Sequence, residues 1–396
     1  MLVSRNEYIM KKGIYLDNAA TTRIDERVLE AMLPYFSTHY GNASSLHSYG
    51  AIVKETMDNS RQKLASFLNA QRDEIYFTSG GTEANNLAVK GVAIANSSKG
   101  NHIIVSAIEH DCILNACKWL ETQGFYVSYL PVDHDGLVDL VSLKQLINPK
   151  TILVSVMYAN NEIGTIEPIT EIGKICHEHN VLFHTDACQS FGKIPIDVVK
   201  DNIDLLTLNA HKIYGPKGVG ALYIRKGVAI TPLLHGGGQE GGIRSSTENI
   251  PGIIGFVKAA ELCIDEMEKE SRRQKLLRDR ITDFLFEKFD DVYINGHTEQ
   301  RLPGHLSFSF HGMEGETIRL LLLLDDMGIA VSAGSACSSN DKSNNVSHVL
   351  QAIGRNPFEA RGAIRISLGR YTSIYEIEEL LNSLLITVFQ LNSIFS

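Results

Sequence analysis

Leu208-Asn-Ala-His-Lys-Ile-Tyr-Gly-Pro-Lys-Gly-Val-Gly220 is the stretch around which the rest of the chain is organised. An apolar strand predicted over Ile203–Leu208 runs into a His-Lys pair and then a glycine-rich turn. Lys212 therefore falls where a strand ends, beside glycines that let other groups approach the main chain closely. A lysine amine so placed forms a Schiff base with a carbonyl compound, provided burial removes enough water for it to lose its proton. Most Lys-Gly segments are solvated turns, and this segment alone does not decide between the two meanings.

Phe183-His-Thr-Asp-Ala-Cys-Gln189, upstream, shifts that balance. Here a second apolar strand ends in Asp186. A carboxylate at the carboxyl end of a buried strand is costly unless a cation meets it. A protonated pyridine nitrogen is such a cation, and pyridoxal phosphate needs an acid there to act as an electron sink. The plainer alternative is an aspartate that caps the next helix or pairs with a surface cation. Lysine and aspartate together point to pyridoxal phosphate and leave that alternative open.

Composition sets the outer bounds. A chain of 396 residues can bury a large core and is expected to divide into about two domains. Its 44% hydrophobic and 21% charged residues are ordinary for a globular protein. A net charge of −9 provides no basic field, so neither direct nucleic-acid binding nor attraction to an anionic membrane is expected. No apolar run reaches the roughly 18 residues that span a bilayer. Met1–Lys12 lacks the apolar core of a signal peptide, and a cytoplasmic location is expected. Six cysteines without a regular framework read as reduced thiols, and no Cys-x-x-Cys pair announces a structural zinc site.

From residue 14 to about 225, strand and helix patterns alternate. Strands are predicted at 75–77, 102–106, 125–130, 151–157, 181–184, 204–208 and 221–224, with helices at 83–95, 111–123 and 169–179. Apolar strands separated by helices imply an α/β domain whose mostly parallel sheet is covered on both faces. Ligands of such sheets sit beyond the carboxyl ends of the strands, where Lys212 and Asp186 fall. After Arg225 the pattern changes. A glycine-rich loop, His235 to Asn249, precedes a helix over about 253–287 and then a smaller α+β part. We place a large domain at 14–255 and a small one at 256–396, joined by residues 1–13. The small domain is expected to have strands at 305–310, 329–332 and 363–367 and helices at 316–327 and 374–394.

Three further features bear on chemistry. Phe77-Thr-Ser-Gly-Gly-Thr-Glu-Ala-Asn-Asn86 reads as strand, glycine pair and helix start, and the unpaired N–H groups of such a start favour an anion. Alone it is equally a glycine turn with Thr82 as the helix cap. His110, at the end of Ser106-Ala-Ile-Glu-His110, is placed to stack on a cofactor ring, although most such histidines are simply packed. Val331-Ser-Ala-Gly-Ser-Ala-Cys337 is followed by eight residues, Ser338 to Asn345, without an apolar side chain. Such a segment cannot bury itself and is expected to be mobile, with the Cys337 thiol as its cargo.

Read in order, Tyr15-Leu-Asp-Asn-Ala-Ala-Thr-Thr22, Thr78-Ser-Gly-Gly-Thr-Glu-Ala-Asn-Asn86, Asn160-Asn-Glu-Ile-Gly164, His184-Thr-Asp-Ala-Cys-Gln189, His211-Lys-Ile-Tyr-Gly-Pro-Lys217 and Ser335-Ala-Cys337 form a specific set. From about Ile14 to Glu379 the chain resembles cysteine desulfurases of the NifS/IscS type, fold-type I pyridoxal-phosphate enzymes related to class V aminotransferases. The resemblance implies that Lys212 holds pyridoxal 5′-phosphate as a Schiff base, with Asp186 on the pyridine nitrogen and Gln189 on the ring hydroxyl. His110 would stack on the ring and move protons. Gly81, Thr82, Asn209 and His211 would line the phosphate side, with Thr247 reaching it from the second subunit of a homodimer. Asn18, Asn161 and Arg365 would hold the carboxylate of L-cysteine, for which the planar guanidinium fork is suited. Cys337 would take the sulfur as a persulfide, releasing alanine and passing the sulfur to a protein acceptor. That acceptor would be an iron–sulfur scaffold or a thiolation enzyme.

The chain also departs from the resembled pattern. Asn209 stands where serine is usual, Ser246 stands where glycine is usual, and Asn340 to Asn345 replaces a Ser-Leu-Glu-Pro-like stretch. A selenocysteine lyase or another class V aminotransferase-like enzyme stays open as the alternative.

Overall fold

The computed structural model describes residues 13–333 and 346–395. Cys337 and the polar run after it lie outside the described residues. The strands are β1 (Ile14–Tyr15), β2 (Ile75–Thr78), β3 (His102–Ser106), β4 (Tyr126–Leu130), β5 (Thr151–Ser155), β6 (Leu182–Asp186) and β7 (Leu205–Asn209). They continue with β8 (Gly220–Ile224), β9 (Val292–Ile294), β10 (His305–Phe310), β11 (Ile329–Ala330), β12 (Ser332–Ala333) and β13 (Ile364–Ser367).

The larger sheet has the order β2–β8–β7–β6–β5–β3–β4, and only β8 runs against its neighbours. The side-chain period of two splits its branched residues between two faces. On one face, Ile104, Val154, Phe183 and Leu206 pack with Ile172, Phe191 and Phe256. On the other, Ile103, Val105, Leu153 and Leu205 pack with Leu87, Val92, Ile113 and Leu120 of the covering helices. Both faces are therefore dry, as the near-continuous apolar strands require. The helix expected at 83–95 begins at Gly81 and passes through a π turn, Leu87–Gly91, before ending at Ala95.

The second part of the chain forms an antiparallel sheet, β12–β13–β10–β9, packed on the C-terminal helix Ile374–Phe395. Its core contains Leu277, Ile281, Phe308, Ile366, Leu380 and Leu384. The single strand expected over 329–332 is two short ones. β11 pairs in parallel with β1, whereas β12 pairs with β13. Leu16 belongs to this second core, so the packing assigns Ile14–Leu16 to the small part and not to the large one. A 39-residue helix, Ile250–Lys288, serves both cores. Its residues through Cys263 pack in the first core, and Leu277 to Leu285 pack in the second. At 1.5 Å per residue this helix is about 58 Å long, enough to reach across both cores. The changeover thus falls inside the helix, later than residue 256. Among the described residues no helix is long and apolar enough to cross a membrane.

The two parts are tied by a charge cluster built on the buried Asp25. Arg370 Nη1 lies 2.6 Å from Asp25 Oδ2, and Arg370 Nη2 lies 3.0 Å from Glu266. Arg27 bridges the same two acids. The Arg27 hydrogen bonds hold the Asp25 carboxyl well below its ordinary value. A depressed carboxylate contributes stability above the unfolded value of about 3.9, and the contribution is lost as pH falls below it. Asp25→Ala leaves Arg27 and Arg370 with Glu266 alone and should cost about 2 kcal/mol in denaturant unfolding at neutral pH. The difference from the unmutated chain should narrow as the pH is lowered toward 3.

Candidate active site

β6 and β7 lie side by side, with Asp186 opposite Thr207, so both strands deliver their last residues to one crevice. β7 ends in the single turn Ala210–Lys212, capped by Asn209, whose Oδ1 accepts the His211 N–H at 3.4 Å. Tyr214 follows with φ +67°, a left-handed residue that reverses the chain. This reversal is held from outside. Thr22 Oγ1 accepts the Tyr214 N–H and donates to the His211 carbonyl. The Lys212 Nζ donates to the main-chain carbonyls of Ala19 and Ala20, each at 2.6 Å.

Asp186 is 6% exposed. Its Oδ2 accepts from Asn85 Nδ2 at 2.7 Å and its Oδ1 from the Cys188 N–H at 2.9 Å. Both donors are neutral, and among the described residues no cation is in ion-pair contact with this buried carboxylate. Among the described residues the expected ion pair with a surface cation is not formed, and the Cys188 bond makes Asp186 a local turn cap as well. Gln189 Nε2 donates to the Ala19 carbonyl at 2.9 Å, which places it beside Lys212.

Gly81 opens its helix against the same crevice. A Cβ there would stand 2.7 Å from Cys188 Sγ and 3.3 Å from Asn209 Nδ2, so only glycine fits without a shift. Asn209 thus lies at the helix start, the neighbourhood in which the resemblance expects a phosphate contact. Thr82 is exposed at the second helical position. His211 meets Thr21 Oγ1 through Nδ1 at 3.1 Å. Burial, and next the charge of Lys212, lower its pKa to about 4, so the ring is neutral at neutral pH. His110 caps the helix Asp111–Thr122, its Nδ1 accepting the Cys112 N–H at 3.1 Å, which leaves the proton on Nε2. His184, by contrast, is fully buried between Ser155 and Thr207 and has a packing role.

Arg365, 2% exposed on β13, comes from the small part of the chain. Its Nη1 donates to the Asn161 carbonyl at 3.0 Å, and its Nη2 to Asp17 Oδ1 at 2.8 Å. Its Nε is buried without a partner. Arg365 and Asn161 therefore meet, but through the Asn161 main chain. Asn18 turns its amide onto the Ser367 carbonyl at 2.8 Å, at the end of β13. Thr247 stands apart from Lys212. It is exposed and lines a different pocket, with Ser79, Gly218 and Asn249. Ser246 keeps an ordinary negative φ, so the departure from glycine carries no backbone strain. Cys337 lies outside the described residues.

Sequence reasoning did not single out Asp17, Asn85 or the Ala19 and Ala20 carbonyls. The signal for Asp17 lay in the quoted Tyr15-Leu-Asp-Asn motif. For Asn85 it lay in the helical spacing of four from Gly81, one turn from the helix start. Main-chain carbonyls leave no mark in a sequence.

These residues fit pyridoxal phosphate on their donor chemistry. A lysine amine and a buried carboxylate held by neutral donors share one crevice, with a helix N-terminus behind them. Among the described residues Asn85 Oδ1 and Arg365 Nε, both buried, lack hydrogen-bond partners. An α/β fold with this lysine–aspartate site defines a pyridoxal-phosphate enzyme of the transferase class.

Residues 14–380 match the family "Aminotransferase class-V". The chain belongs to that family. It is 52% identical over 364 residues to a "Cysteine desulfurase IscS" of Dictyoglomus turgidum, covering 92% of this chain and 91% of that one. It is 51% identical over 370 residues to the "Cysteine desulfurase IscS" of Methanosarcina thermophila, covering 93% and 90%. A solved structure titled "NifS-like protein" superposes with a TM-score of 0.88 at 40% identity, over 95% of this chain and 99% of that one.

Gly81→Ala should overpack the helix start by about 1–3 kcal/mol and weaken cofactor retention, measured by dialysis and visible absorbance. Combining it with Cys188→Ala removes the closest clash and should restore part of the retention. No recovery would mean that the Gly81–Cys188 contact is not what limits the site.

Proposed function

We propose a division of labour within a pyridoxal-phosphate-dependent cysteine desulfurase, the activity on which family, fold and site agree. The observation that carries it is the Lys212 amine, held at two carbonyls beside the buried Asp186 carboxylate. When bound, pyridoxal phosphate supplies the electron sink for charge developing at the cysteine α-carbon.

Lys212 would carry the cofactor, and its free Nζ would be the group that takes the substrate α-proton. The Ala19 and Ala20 carbonyls orient that nitrogen. Asp186, kept in place by Asn85 and the Cys188 N–H, would hold the protonated ring nitrogen. Gln189 faces the ring oxygen. The Gly81 N–H, Thr82, Asn209 and the neutral His211 serve the phosphate side. His110, its tautomer fixed by the Cys112 N–H, presents Nε2–H for proton transfer. Arg365 binds the substrate carboxylate with Asn161 and Asn18, and Asp17 must share one arm of the fork for this to happen. Cys337 accepts the sulfur as thiolate, because the thiol is a poor nucleophile. The products are alanine and a persulfide, which a protein acceptor then draws from Cys337.

A homodimer in the cytoplasm is part of this reading. Two features support the dimer. Thr247 is exposed beside Ser79 and away from its own Lys212, as a residue reaching a second subunit would be. Leu33, Phe36, Tyr40, Leu46, Tyr49 and Ile52 are also all exposed within one short stretch, an apolar surface that a second copy would cover.

Lys212→Ala should release no alanine from cysteine while its far-ultraviolet spectrum stays unchanged. Turnover near the unmutated rate would overturn the cofactor assignment. Cys337→Ser should still change the visible spectrum on adding cysteine but yield neither alanine nor sulfide. If it desulfurates at the normal rate, another thiol carries the sulfur. Alanine from selenocysteine only, and none from cysteine, would favour the lyase.

A further inference from the structure

Lys193 faces the same pocket as Lys212. It lies four residues after Gln189, in the turns that follow β6, and its Nζ donates to Gln189 Oε1 at 3.3 Å. Among the described residues no carboxylate is in ion-pair contact with it. The charges and thiols around it are Lys212, Cys263, Arg365 and Cys188. Burial, and next the charge of Lys212, push its pKa down to about 8. Lys193 and Lys212 line one pocket, together with Tyr214, Glu266, Glu270 and Arg370. Glu266 and Glu270 line the same space, but among the described residues neither is in ion-pair contact with Lys193, so an ion pair does not account for that lysine.

Its bond to Gln189 does. An amide has a donor end and an acceptor end, and either can be turned toward a given neighbour. An ammonium donates only, so Lys193 can pair only with Oε1. That pairing turns Nε2 to the Ala19 carbonyl at 2.9 Å, the carbonyl that Lys212 Nζ also reaches at 2.6 Å. One amide N–H is used there and the second remains. The reversed amide would set an oxygen against the Ala19 carbonyl and leave the Lys193 ammonium facing an NH₂ group.

We propose that Lys193 is a positioning residue which, by holding the Oε1 end of Gln189, keeps the remaining amide N–H turned toward an anionic oxygen on the cofactor ring. This rests on the reading of Gln189 as the partner of that oxygen. An oxygen that accepts an N–H is less basic than one facing a carbonyl oxygen. With the cofactor bound, the proton whose loss changes the visible band would therefore leave at lower pH. The positive charge of Lys193 acts in the same direction.

The test uses the full-length holoenzyme, pyridoxal phosphate and the variants Lys193→Met, Gln189→Met and their double. The readouts are the pH midpoint of the visible band and the dissociation constant of the cofactor. Lys193→Met should raise the midpoint by about one unit, a tenfold change in proton affinity, and weaken cofactor binding. The double variant should shift the midpoint by less than the sum of the single shifts, because both act through one hydrogen bond. An unmoved midpoint in Lys193→Met overturns the proposal even if the melting temperature falls, since a purely structural lysine predicts that pattern. Strict additivity overturns it as well. If Lys193→Met does not fold, Lys193→Gln replaces it. Its amide can pair with Gln189 either way, so a smaller rise is expected, and no rise refutes the idea. An unmutated chain that forms no visible band with the cofactor would refute the reading beneath it, a result separate from all of these.

Discussion

Everything in the site depends on one short crossing. Residues Asp17 to Thr22 leave the small part of the chain and pass over the carboxyl ends of the large sheet. Along the way Asp17 pairs with Arg365, Asn18 binds the end of β13, and Ala19 and Ala20 offer their carbonyls to Lys212. Thr22 then closes the turn behind Lys212. Lysine carries a long, flexible stem, and its amine is useful only if something fixes it. Here the fixing groups are main-chain oxygens. Their position is set by sheet pairing at one end of the crossing and by the Asp25 cluster at the other.

Electrostatics in the crevice are arranged by burial more than by ion pairs. Asp186 receives only neutral donors, and burial keeps His211 neutral. Glu109, next to His110, is fully buried. Its carboxyl is pushed well up by burial and by Asp186, while one oxygen takes the Met157 N–H at 2.5 Å. A carboxylate held by neutral donors keeps its appetite for a cation. A crevice already full of matched ion pairs would offer a charged ring nothing.

The alternation of apolar strands with helical spacing made the α/β sheet readable, and β3 and β10 fall where the pattern put them. β9 was missed, as were the helices Ser48–Ser66 and Leu140–Leu146. β9 has three residues and takes its meaning from its partner β10. The split of 329–332 between two sheets is likewise a matter of partners, which periodicity within one segment cannot report. Ile14–Leu16 read as the start of the large domain because they precede it in sequence. Their hydrogen bonds run to Gly328 and Ala330 instead. In the site, residue types whose chemistry is distinctive, such as Lys212 and Asp186, were legible. The amide orientations of Asn85 and Gln189 were not, because each depends on neighbours distant in the chain.

The long helix and β1 together have a consequence for how this protein can be divided. The chain visits the small core first, at Ile14–Leu16, builds the whole large sheet, and returns along a helix whose two halves belong to different cores. A cut anywhere near residue 256 strands half a helix with its apolar stripe exposed, and it separates β1 from β11. Neither part is an inheritable module. Recombination, fusion or complementation by fragments has to treat the pair as one indivisible unit, with insertions confined to loops that no second core claims.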